Sequence, residues 1–313
     1  MRIKTEERFN MNGIVLLDFF CSKGNAYLSR DWNVEDTYKY VFKVNESIVE
    51  AGYYIHYLDN VIVDKTVELS TSYGCVCKCK YCASSQISSF NVLESYQLMY
   101  IFNYICKENN ISNNEYNLII AMTGTGDYRY TYKNTNEFLL NVFRLGFNAK
   151  FIISSCAWEP HMLEKAEFLY ELGVKYKFLQ STYISHNQKI IRSVIPNYPN
   201  GCDMSKFTSI IQQSKLLPFS RINYLLIKDV NDDETSFSEF LKILTPVKEK
   251  ILVRISKLNA THCSQSNGLE STSDDKLFHL KFLCENNGIK AYVFKSQIND
   301  NMNCGQLITE KDC

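Results

Sequence analysis

The sequence predicts an α/β protein built as an open or partial (β/α)6 barrel with a small N-terminal accessory element. Three observations predict it. Strand and helix segments alternate from about residue 66 onward, six strand–helix units precede a seventh strand, and four cysteines cluster directly after the first strand. Alternating strands and helices indicate a parallel sheet. Because six units are fewer than the eight of a closed (β/α)8 barrel, an open or partial barrel is favoured.

The predicted strands are short apolar runs, and the predicted helices carry apolar residues at helical spacing. The strands are VELS (67–70), NLIIAM (117–122), KFIISS (150–155), KFLQ (177–180), RINYLLI (221–227), ILVRIS (251–256) and KAYVF (290–294). The helices span 92–107, 136–147, 161–173, 203–215, 236–245 and 274–288. Gly173 is expected to close the third helix and Asp203 to cap the fourth.

Three regions are expected along the chain. Residues 1–60 form a small aromatic-rich accessory region with strands at 13–20 and 51–57, residues 61–307 form the core with the cysteine loop at 75–82, and residues 308–313 form a C-terminal tail. In parallel sheets of this kind, active sites lie at the carboxyl ends of the strands. The cysteine loop follows the first core strand and therefore lies where a site is expected.

The composition is that of a globular chain without a global charge. The 313 residues are 45% hydrophobic and 13% aromatic, which is enough for a large core. Lys+Arg and Asp+Glu are both 34, which argues against binding to long nucleic acid through a global positive field. No apolar run reaches the roughly 18–20 residues of a membrane span. The N-terminal residues lack a signal-peptide pattern, so a cytoplasmic protein is expected.

The twelve cysteines are unevenly distributed, and four of them, Cys75, Cys77, Cys79 and Cys82, fall within eight residues. The C-x3-C-x2-C spacing of Cys75, Cys79 and Cys82 allows three thiolates to hold three irons of a [4Fe–4S] cluster and leave the fourth iron open. A zinc site needs four ligands, normally from two separated pairs, and the sequence has no second C-x2-C. A chance group of buried thiols is the remaining alternative.

This triad, with the aromatic Tyr81 before its third cysteine, resembles the signature of the radical S-adenosylmethionine (SAM) superfamily. The resemblance implies that Cys75, Cys79 and Cys82 hold a [4Fe–4S] cluster whose open iron binds SAM. It also implies an electron donor such as flavodoxin or ferredoxin, whose electron cleaves SAM to methionine and a 5′-deoxyadenosyl radical. The radical chemistry belongs to the cofactor, and the protein supplies binding and orientation.

Further segments are similar, in order, to the RlmN/Cfr family of RNA adenine methyltransferases. They are STSYGCVCKCKYC (70–82), IIAMTGTGDY (119–128), FIISSCAWEP (151–160), STYISHNQKIIRSVIPN (181–197), INYLLIKDVND (222–232), VRISKLNA (253–260) and NCGQL (303–307). The resemblance covers roughly residues 66–307 and implies a set of SAM-binding positions. Those positions are Gly126, Asp127, Ser154, Ser181, Tyr183 and Asn259. Asp127 replaces the family's glutamate as an acceptor for the SAM ammonium, and Tyr183 replaces its histidine.

The CGQL segment implies the reaction. In the family its cysteine is methylated on sulfur by one SAM, and the radical from a second SAM removes a hydrogen from that methyl group. The resulting carbon radical adds to C2 or C8 of adenine. By resemblance Cys304 is the methyl carrier, and the alternative is a buried or tail cysteine.

The sequence departs from the family at several positions. The family's resolving cysteine lies seven residues before the first cluster cysteine, where this chain has Glu68. A carboxylate cannot form a disulfide, so Cys77 and Cys313 are the substitutes to consider, each with a spare thiol as the alternative. Glu68 is interpreted either as an acid–base group or as a polar strand residue, and Glu50 aligns loosely with the family's general base. The family's helical RNA-binding module has only about 65 residues available before the core.

Three functional hypotheses follow. The first is a radical SAM methyltransferase that acts through Cys304 on RNA, a peptide or a small biosynthetic intermediate. The second is a radical SAM enzyme that has lost methyl transfer and abstracts hydrogen directly from its substrate; Glu68 favours it and the intact CGQL opposes it. The third is a non-catalytic RNA-binding or regulatory relative, which the complete cysteine triad disfavours.

Overall fold

The computed structural model describes residues 2–4 and 13–296. The strands are β1 (Arg2–Lys4), β2 (Ile14–Leu28), β3 (Val34–Val44), β4 (Ser47–Leu58), β5 (Val61–Leu69), β6 (Ser72–Tyr73), β7 (Asn91–Val92), β8 (Leu118–Met122), β9 (Ala149–Ser155), β10 (Lys175–Tyr183), β11 (Ser220–Leu226), β12 (Leu252–Lys257) and β13 (Lys290–Ser296). The α-helices are α1 (Ser95–Glu108), α2 (Tyr128–Arg144), α3 (Pro160–Glu171), α4 (Gln188–Val194), α5 (Met204–Gln212), α6 (Glu234–Leu244), α7 (His262–Ser266) and α8 (Asp274–Asn286).

In this part of the chain, ten strands form a closed barrel. The strands β5 and β8 to β13 are parallel and follow one another in sequence order. The antiparallel strands β4, β3 and β2 continue the sheet from the other edge of β5. The ring closes where β2 pairs with β13 through Tyr27 and Leu28. β1 pairs with β2, and β6 and β7 form a separate two-stranded pair.

The alternating strands and helices predicted from residue 67 onward are confirmed, but the predicted partial (β/α)6 barrel is wrong in its closure. The N-terminal strands, expected as an accessory element, pair with both edges of the parallel sheet. This closure gives the edges of β5 and β13 hydrogen-bonding partners, and an unpaired strand edge exposes backbone N–H and C=O groups. The division of the chain at residue 60 stays a prediction.

The helices cover the outside of the barrel with apolar faces. Phe138, Leu139 and Val142 of α2 are fully buried in the core against the sheet. The predicted cap of α5 is confirmed, because the Asp203 side chain accepts a 2.8 Å hydrogen bond from the Lys206 backbone N–H. None of the helices in the described ranges is long and apolar enough to cross a membrane.

Strand alternation divides the side chains between the helices and the barrel lumen. On β11, Ile222, Tyr224 and Leu226 are fully buried on the helix side, whereas Arg221, Asn223 and Leu225 line the lumen. Successive strand side chains point to opposite faces of a sheet. The lumen holds a cavity of about 370 Å³, a volume typical of small-molecule sites.

Candidate active site in the barrel lumen

The cysteine loop follows β5 and contributes four thiols to the wall of the cavity. Cys75, Cys77, Cys79 and Cys82 all line it, and so does Cys156, which directly follows β9. The Sγ atoms of Cys77 and Cys156 are 3.5 Å apart. Both elements reach the cavity from the carboxyl ends of parallel strands, as expected for a barrel active site.

The loop is held in place by backbone hydrogen bonds to two helical regions. The Lys80 N–H donates to the Val194 carbonyl at the end of α4, over 2.9 Å. The Thr261 hydroxyl, which also caps α7, donates to the Tyr81 carbonyl over 3.0 Å.

The surroundings of the loop raise the pKa of Cys75 and of Cys79. A hydrogen bond with Cys77, together with burial, raises the pKa of the Cys75 thiol far above its usual range. Burial and the neighbouring thiols raise the pKa of Cys79 in the same direction. Iron–sulfur clusters bind cysteine as thiolate, so assembly at this loop would release protons. Several soft sulfur donors around one cavity match the chemistry of an iron–sulfur cluster.

Asp127 joins the segment after β8 to the segment after β9. It caps α2, with its Oδ1 accepting from the Arg129 N–H over 2.9 Å and from the Ser155 hydroxyl over 2.7 Å. Its Oδ2 accepts from the Cys156 N–H over 2.7 Å. Both carboxylate oxygens therefore accept hydrogen bonds from the protein. Through the bond to the Cys156 N–H, Asp127 fixes the position of Cys156 beside the cysteine loop.

Comparisons with known proteins give consistent relatives. No family profile matches the chain. The chain is 25% identical over 292 residues to the probable dual-specificity RNA methyltransferase RlmN of Clostridioides difficile strain 630, covering 90% of this chain and 78% of the relative. The protein of the same name from Thermotoga maritima is 24% identical over 313 residues, with 98% and 82% covered. The chain is similar to RNA methyltransferases of the RlmN type.

Solved structures support the fold of this RlmN-like chain. A radical SAM methyltransferase from Sphaerobacter thermophilus superposes with a TM-score of 0.68 at 19% identity, covering 93% of this chain and 82% of that one. SuiB of Streptococcus suis, solved with S-adenosylmethionine, superposes with a TM-score of 0.50 at 13% identity over 72% of this chain and 49% of its own. The curated relatives are RNA methyltransferases by name, and the Sphaerobacter thermophilus structure is a radical SAM methyltransferase by title.

Four of the expected SAM-binding positions of the RlmN-like chain line the same cavity as the cysteines. They are Gly126, Asp127, Ser154 and Asn259. They come from the segments after β8 and β12 and from the end of β9, so the closed sheet brings distant parts of the sequence to one edge. The Ser154 hydroxyl accepts a 3.3 Å hydrogen bond from the Gln180 side chain.

The structure does not bring Ser181 and Tyr183 to the cavity. Both are buried on the helix side of β10, where the Tyr183 ring packs 4.7 Å from that of Phe240. Gln180 and Thr182, at the alternate positions of the strand, line the cavity instead. Strand alternation explains the difference, because a shift of one residue moves a side chain to the opposite face.

Glu68 and Glu50 occupy different surroundings. Glu68 lines the cavity, its Oε2 accepts from the Tyr54 hydroxyl over 2.6 Å, and its Oε1 accepts from the Thr123 hydroxyl over 2.7 Å. Glu50 is buried, and its backbone carbonyl accepts a 2.6 Å hydrogen bond from the Ser70 hydroxyl. Glu50 is not among the residues that line the cavity within the described ranges. Cys304 and Cys313 lie outside the residues that the structure describes.

Several residues that line the cavity were not predicted from the sequence. Cys156 had an available signal, because it directly follows a predicted strand at the edge where sites form. Arg221 and Arg254 also had one, since each is a charged residue inside an otherwise apolar strand. His56 carried no such signal, because its partners Glu35 and Asp64 come from neighbouring strands of the closed barrel.

Proposed function

We propose that this chain is a radical SAM methyltransferase in which Cys75, Cys79 and Cys82 hold a [4Fe–4S] cluster. When bound, the reduced cluster would supply the electron that cleaves SAM to methionine and a 5′-deoxyadenosyl radical. The observation that carries the proposal is that these thiols line one cavity together with Gly126, Ser154 and Asn259. A cluster needs the thiols as ligands, and SAM needs a binding site next to the cluster.

The chain's own residues would bind, orient and shield the reactants. Asp127 would keep the segments after β8 and β9 together, and it has a remaining lone pair on Oδ2 for the SAM ammonium. Gly126, Ser154 and Asn259 would bind SAM in the cavity that they line together. The closed barrel would exclude water on all lateral sides, which protects a reactive species from side reactions.

Methylation of an unactivated sp2 carbon is the reaction we propose, with Cys304 carrying the methyl group on its sulfur. Its support is the CGQL segment and the RlmN relatives, which are RNA methyltransferases by name. RNA adenine is the substrate that those relatives suggest. The proposal includes a cytoplasmic location and an electron donor such as flavodoxin or ferredoxin, because cluster thiolates need a reducing compartment.

The second candidate is direct hydrogen abstraction from the substrate without methyl transfer. Glu68 favours it, because this carboxylate occupies the position of the family's resolving cysteine and both of its oxygens are held by hydroxyls of the chain. A carboxylate held in this way cannot resolve a covalent sulfur intermediate. The two candidates share the cluster and SAM sites and differ in the role of Cys304.

Anaerobic reconstitution with iron and sulfide tests the shared part of the proposal. We expect the wild-type protein to show brown iron–sulfur absorption and to form 5′-deoxyadenosine from SAM under reduction. Cys79→Ala should lose both signals, whereas Cys106→Ala, which alters a buried thiol in α1, should keep both. Deoxyadenosine formation by Cys79→Ala would refute the cluster assignment.

Incubation with methyl-deuterated SAM separates the two candidates. Peptide mass spectrometry should find a labelled methyl group on the peptide that contains Cys304 if methyl transfer is retained. Deoxyadenosine formation with an unlabelled Cys304 peptide would instead establish direct hydrogen abstraction. Replacing Cys304→Ala should stop methyl transfer, and unchanged product formation in that variant would rule out the carrier role.

A further inference from the structure

Two arginines enter the lumen from neighbouring strands, near the amino ends of those strands. Arg221 is the second residue of β11 and Arg254 is the third residue of β12, and both line the cavity. At about 3.3 Å per residue, Arg221 lies roughly 16 Å along its strand from the carboxyl end. The cysteine loop lies at the carboxyl end of β5. Arg221 therefore lies toward the opposite end of the same cavity, and Arg254, about 10 Å from the carboxyl end of β12, lies between the two ends.

Arg221 is a buried charge with unused hydrogen-bonding capacity. It is only 7% exposed, and its guanidinium stacks 4.0 Å from the Phe178 ring. Its Nη1 donates a 3.2 Å hydrogen bond to the Tyr292 hydroxyl, whereas its buried Nε has no acceptor among the residues that the structure describes. Burial lowers the pKa of Arg221 to about 10, and the nearby positive charge of Arg254 acts in the same direction.

Hydrogen bonds from Nε orient the Arg254 side chain, and its terminal guanidinium nitrogens are available to a ligand in the cavity. Its Nε donates to the Asn223 side-chain oxygen over 2.9 Å and to the Ser256 hydroxyl over 3.1 Å. The guanidinium lies 4.5 Å from the Phe294 ring. Within residues 13–296, neither Arg221 nor Arg254 has a carboxylate at ion-pair distance.

Four of the five carboxylates that line the lumen are paired with other cations, and the fifth, Asp127, accepts three hydrogen bonds at the carboxyl ends of the strands. Those on β3 and β5 pair as follows: Glu35 with His56 at 3.0 Å, Asp64 with Lys177 at 2.8 Å, and Glu68 with Lys39 at 3.9 Å. Asp31, in the turn between β2 and β3, pairs with Arg30 at 3.1 Å. Buried charges are normally paired because an unpaired one costs desolvation energy. The two guanidiniums therefore have no carboxylate of their own at ion-pair distance in the described ranges, and Asp31 acts on Arg221 only from farther away.

We propose that Arg221 and Arg254 bind the anionic group, a carboxylate or a phosphate, of a small organic substrate. The planar guanidinium fork matches both anions in a bidentate manner. This inference rests on the proposed function and names a small organic anion as the substrate of the same cavity, in place of the RNA that the relatives suggest. The anion would be fixed at one end, so that the rest of the molecule extends toward the cysteine loop.

The wall between the two ends suits an organic molecule better than a polymer. The Trp32 ring stacks on His56 with ring centroids 4.1 Å apart, and it lies 6.1 Å from the Phe294 ring. These rings give the part of the cavity away from the cysteine loop an aromatic side. Because ten strands close the barrel laterally, a substrate must enter through an end. An RNA base inserted from the carboxyl end would carry no anionic group to the arginines, since its phosphates would stay outside.

Binding of simple anions to the full-length protein tests the site. Sodium phosphate and sodium succinate would be titrated separately at constant ionic strength, with tryptophan fluorescence and thermal unfolding as readouts, because Trp32 lines the cavity. The two probes distinguish a phosphate from a carboxylate ligand. We expect a saturable response to at least one anion, and at least tenfold weaker binding in Arg221→Gln and in Arg254→Gln.

Two further variants keep the test interpretable. Arg221→Lys retains the charge without the fork, and should lose less affinity than Arg221→Gln. Arg144→Gln, at the exposed end of α2, should bind the anion like the wild type. No saturable response in the wild-type protein, or equal binding by folded Arg221→Gln and the wild type, would overturn the anion site.

The outcome is separable from that of the proposed function. Anion binding is measured without SAM turnover, and deoxyadenosine formation is measured on the same wild-type preparation. SAM cleavage without anion binding would overturn the anion site alone, whereas anion binding without SAM cleavage would overturn the radical SAM function alone. A single-stranded RNA oligonucleotide that binds more tightly than either anion, and loses affinity in Arg221→Gln, would overturn the small-molecule assignment.

Discussion

Tyr54 donates a 2.6 Å hydrogen bond to Glu68 at the seam where the antiparallel strands join the parallel ones. The other oxygen of Glu68 accepts from Thr123, in the segment after β8, and the Lys39 ammonium from β3 lies 3.9 Å away. One carboxylate therefore connects four consecutive elements of the closed sheet. Burial, and after it the proximity of Glu68, raises the pKa of the Tyr54 phenol, so this phenol stays protonated as a donor.

Replacing Glu68→Gln should destabilise the barrel at this seam. The amide leaves only one acceptor oxygen for two hydroxyl donors and removes the countercharge of Lys39. Hydrogen bonds to charged groups contribute about 1.5–3 kcal/mol each, so we expect a loss of roughly 2 kcal/mol in the free energy of unfolding. Urea denaturation measures it. The exposed pair Glu239–Lys242 provides the control, because Glu239→Gln should leave the free energy of unfolding nearly unchanged. Equal losses in the two variants would contradict the role of Glu68.

His56 lies between two carboxylates from neighbouring strands. Its Nε2 is 3.0 Å from Glu35, and its Nδ1 contacts Asp64, which also binds Lys177. Burial alone would lower the pKa of His56, but the hydrogen bonds with Asp64 and Glu35 outweigh it and raise the pKa above 6.5. The same contacts hold the pKa of Asp64 below 3.8 against the effect of its own burial.

His56→Gln should therefore lose stability in a pH-dependent manner. A folded-state pKa above the unfolded value of 6.5 contributes stability fully below pH 6.5, and this contribution is lost as the pH rises through the folded-state pKa. The stability difference between wild type and His56→Gln should be largest at pH 6, roughly 3 kcal/mol, and smaller at pH 9. Urea denaturation at both pH values measures it. The exposed His279→Gln should show no such trend, and a difference that grows with pH would contradict this assignment.

The local structure of the core was predictable, and its closure was not. Apolar runs such as RINYLLI and KFIISS predict strands because their length and β-branched residues fit a buried strand. The pairing of β2 with β13 joins residues more than 260 positions apart in sequence, through Tyr27–Ser296 and Leu28–Lys295. No local pattern encodes such a pairing, since it depends on the twist and length of all the intervening strands.

The part of the candidate site that lies on one short loop was predictable from the spacing of its residues in the sequence. Cys75, Cys79 and Cys82 share one loop, so their proximity follows from the sequence. Which of two adjacent strand residues faces the lumen depends on register, and for this reason Thr182 lines the cavity where Tyr183 was expected. Cys156 lies beside Cys77 in a segment that Asp127 holds through three hydrogen bonds. The spacing of residues in the sequence does not predict these hydrogen bonds.

Asp127→Asn should cost more stability than the same substitution at another helix cap. The Asp127 carboxylate accepts from Arg129, Ser155 and Cys156, and an amide group would place N–H donors against one or more of these donors. We expect a loss of about 1–3 kcal/mol in urea denaturation. Asp203→Asn is the matched control, because Asp and Asn cap helices almost equally well and Asp203 accepts only from Lys206 in the α5 cap. Similar costs for the two variants would show that Asp127 acts as an ordinary cap.

Gly126→Ala should disrupt the contact between the segment after β8 and the segment that leads into the cysteine loop. Gly126 has a φ of +119°, and a Cβ atom there would lie 2.3 Å from the Thr71 Oγ1 and 2.7 Å from the Ser72 Oγ. Gly201 is the control that separates backbone strain from steric crowding. Its φ is +65°, but a Cβ atom there would meet nothing within 4 Å. Gly201→Ala should therefore cost about 1 kcal/mol from backbone conformation alone.

We expect Gly126→Ala to cost at least about 2 kcal/mol, because overpacking adds to the conformational cost. It should also weaken the SAM-induced rise in the unfolding temperature, since Gly126 lines the cavity beside the cysteine loop. Urea denaturation and thermal unfolding with added SAM measure the two effects. Gly201→Ala should keep the full SAM-induced shift. A Gly126→Ala protein as stable as Gly201→Ala would mean that the two segments can separate at little cost, and that their close approach does not shape the site.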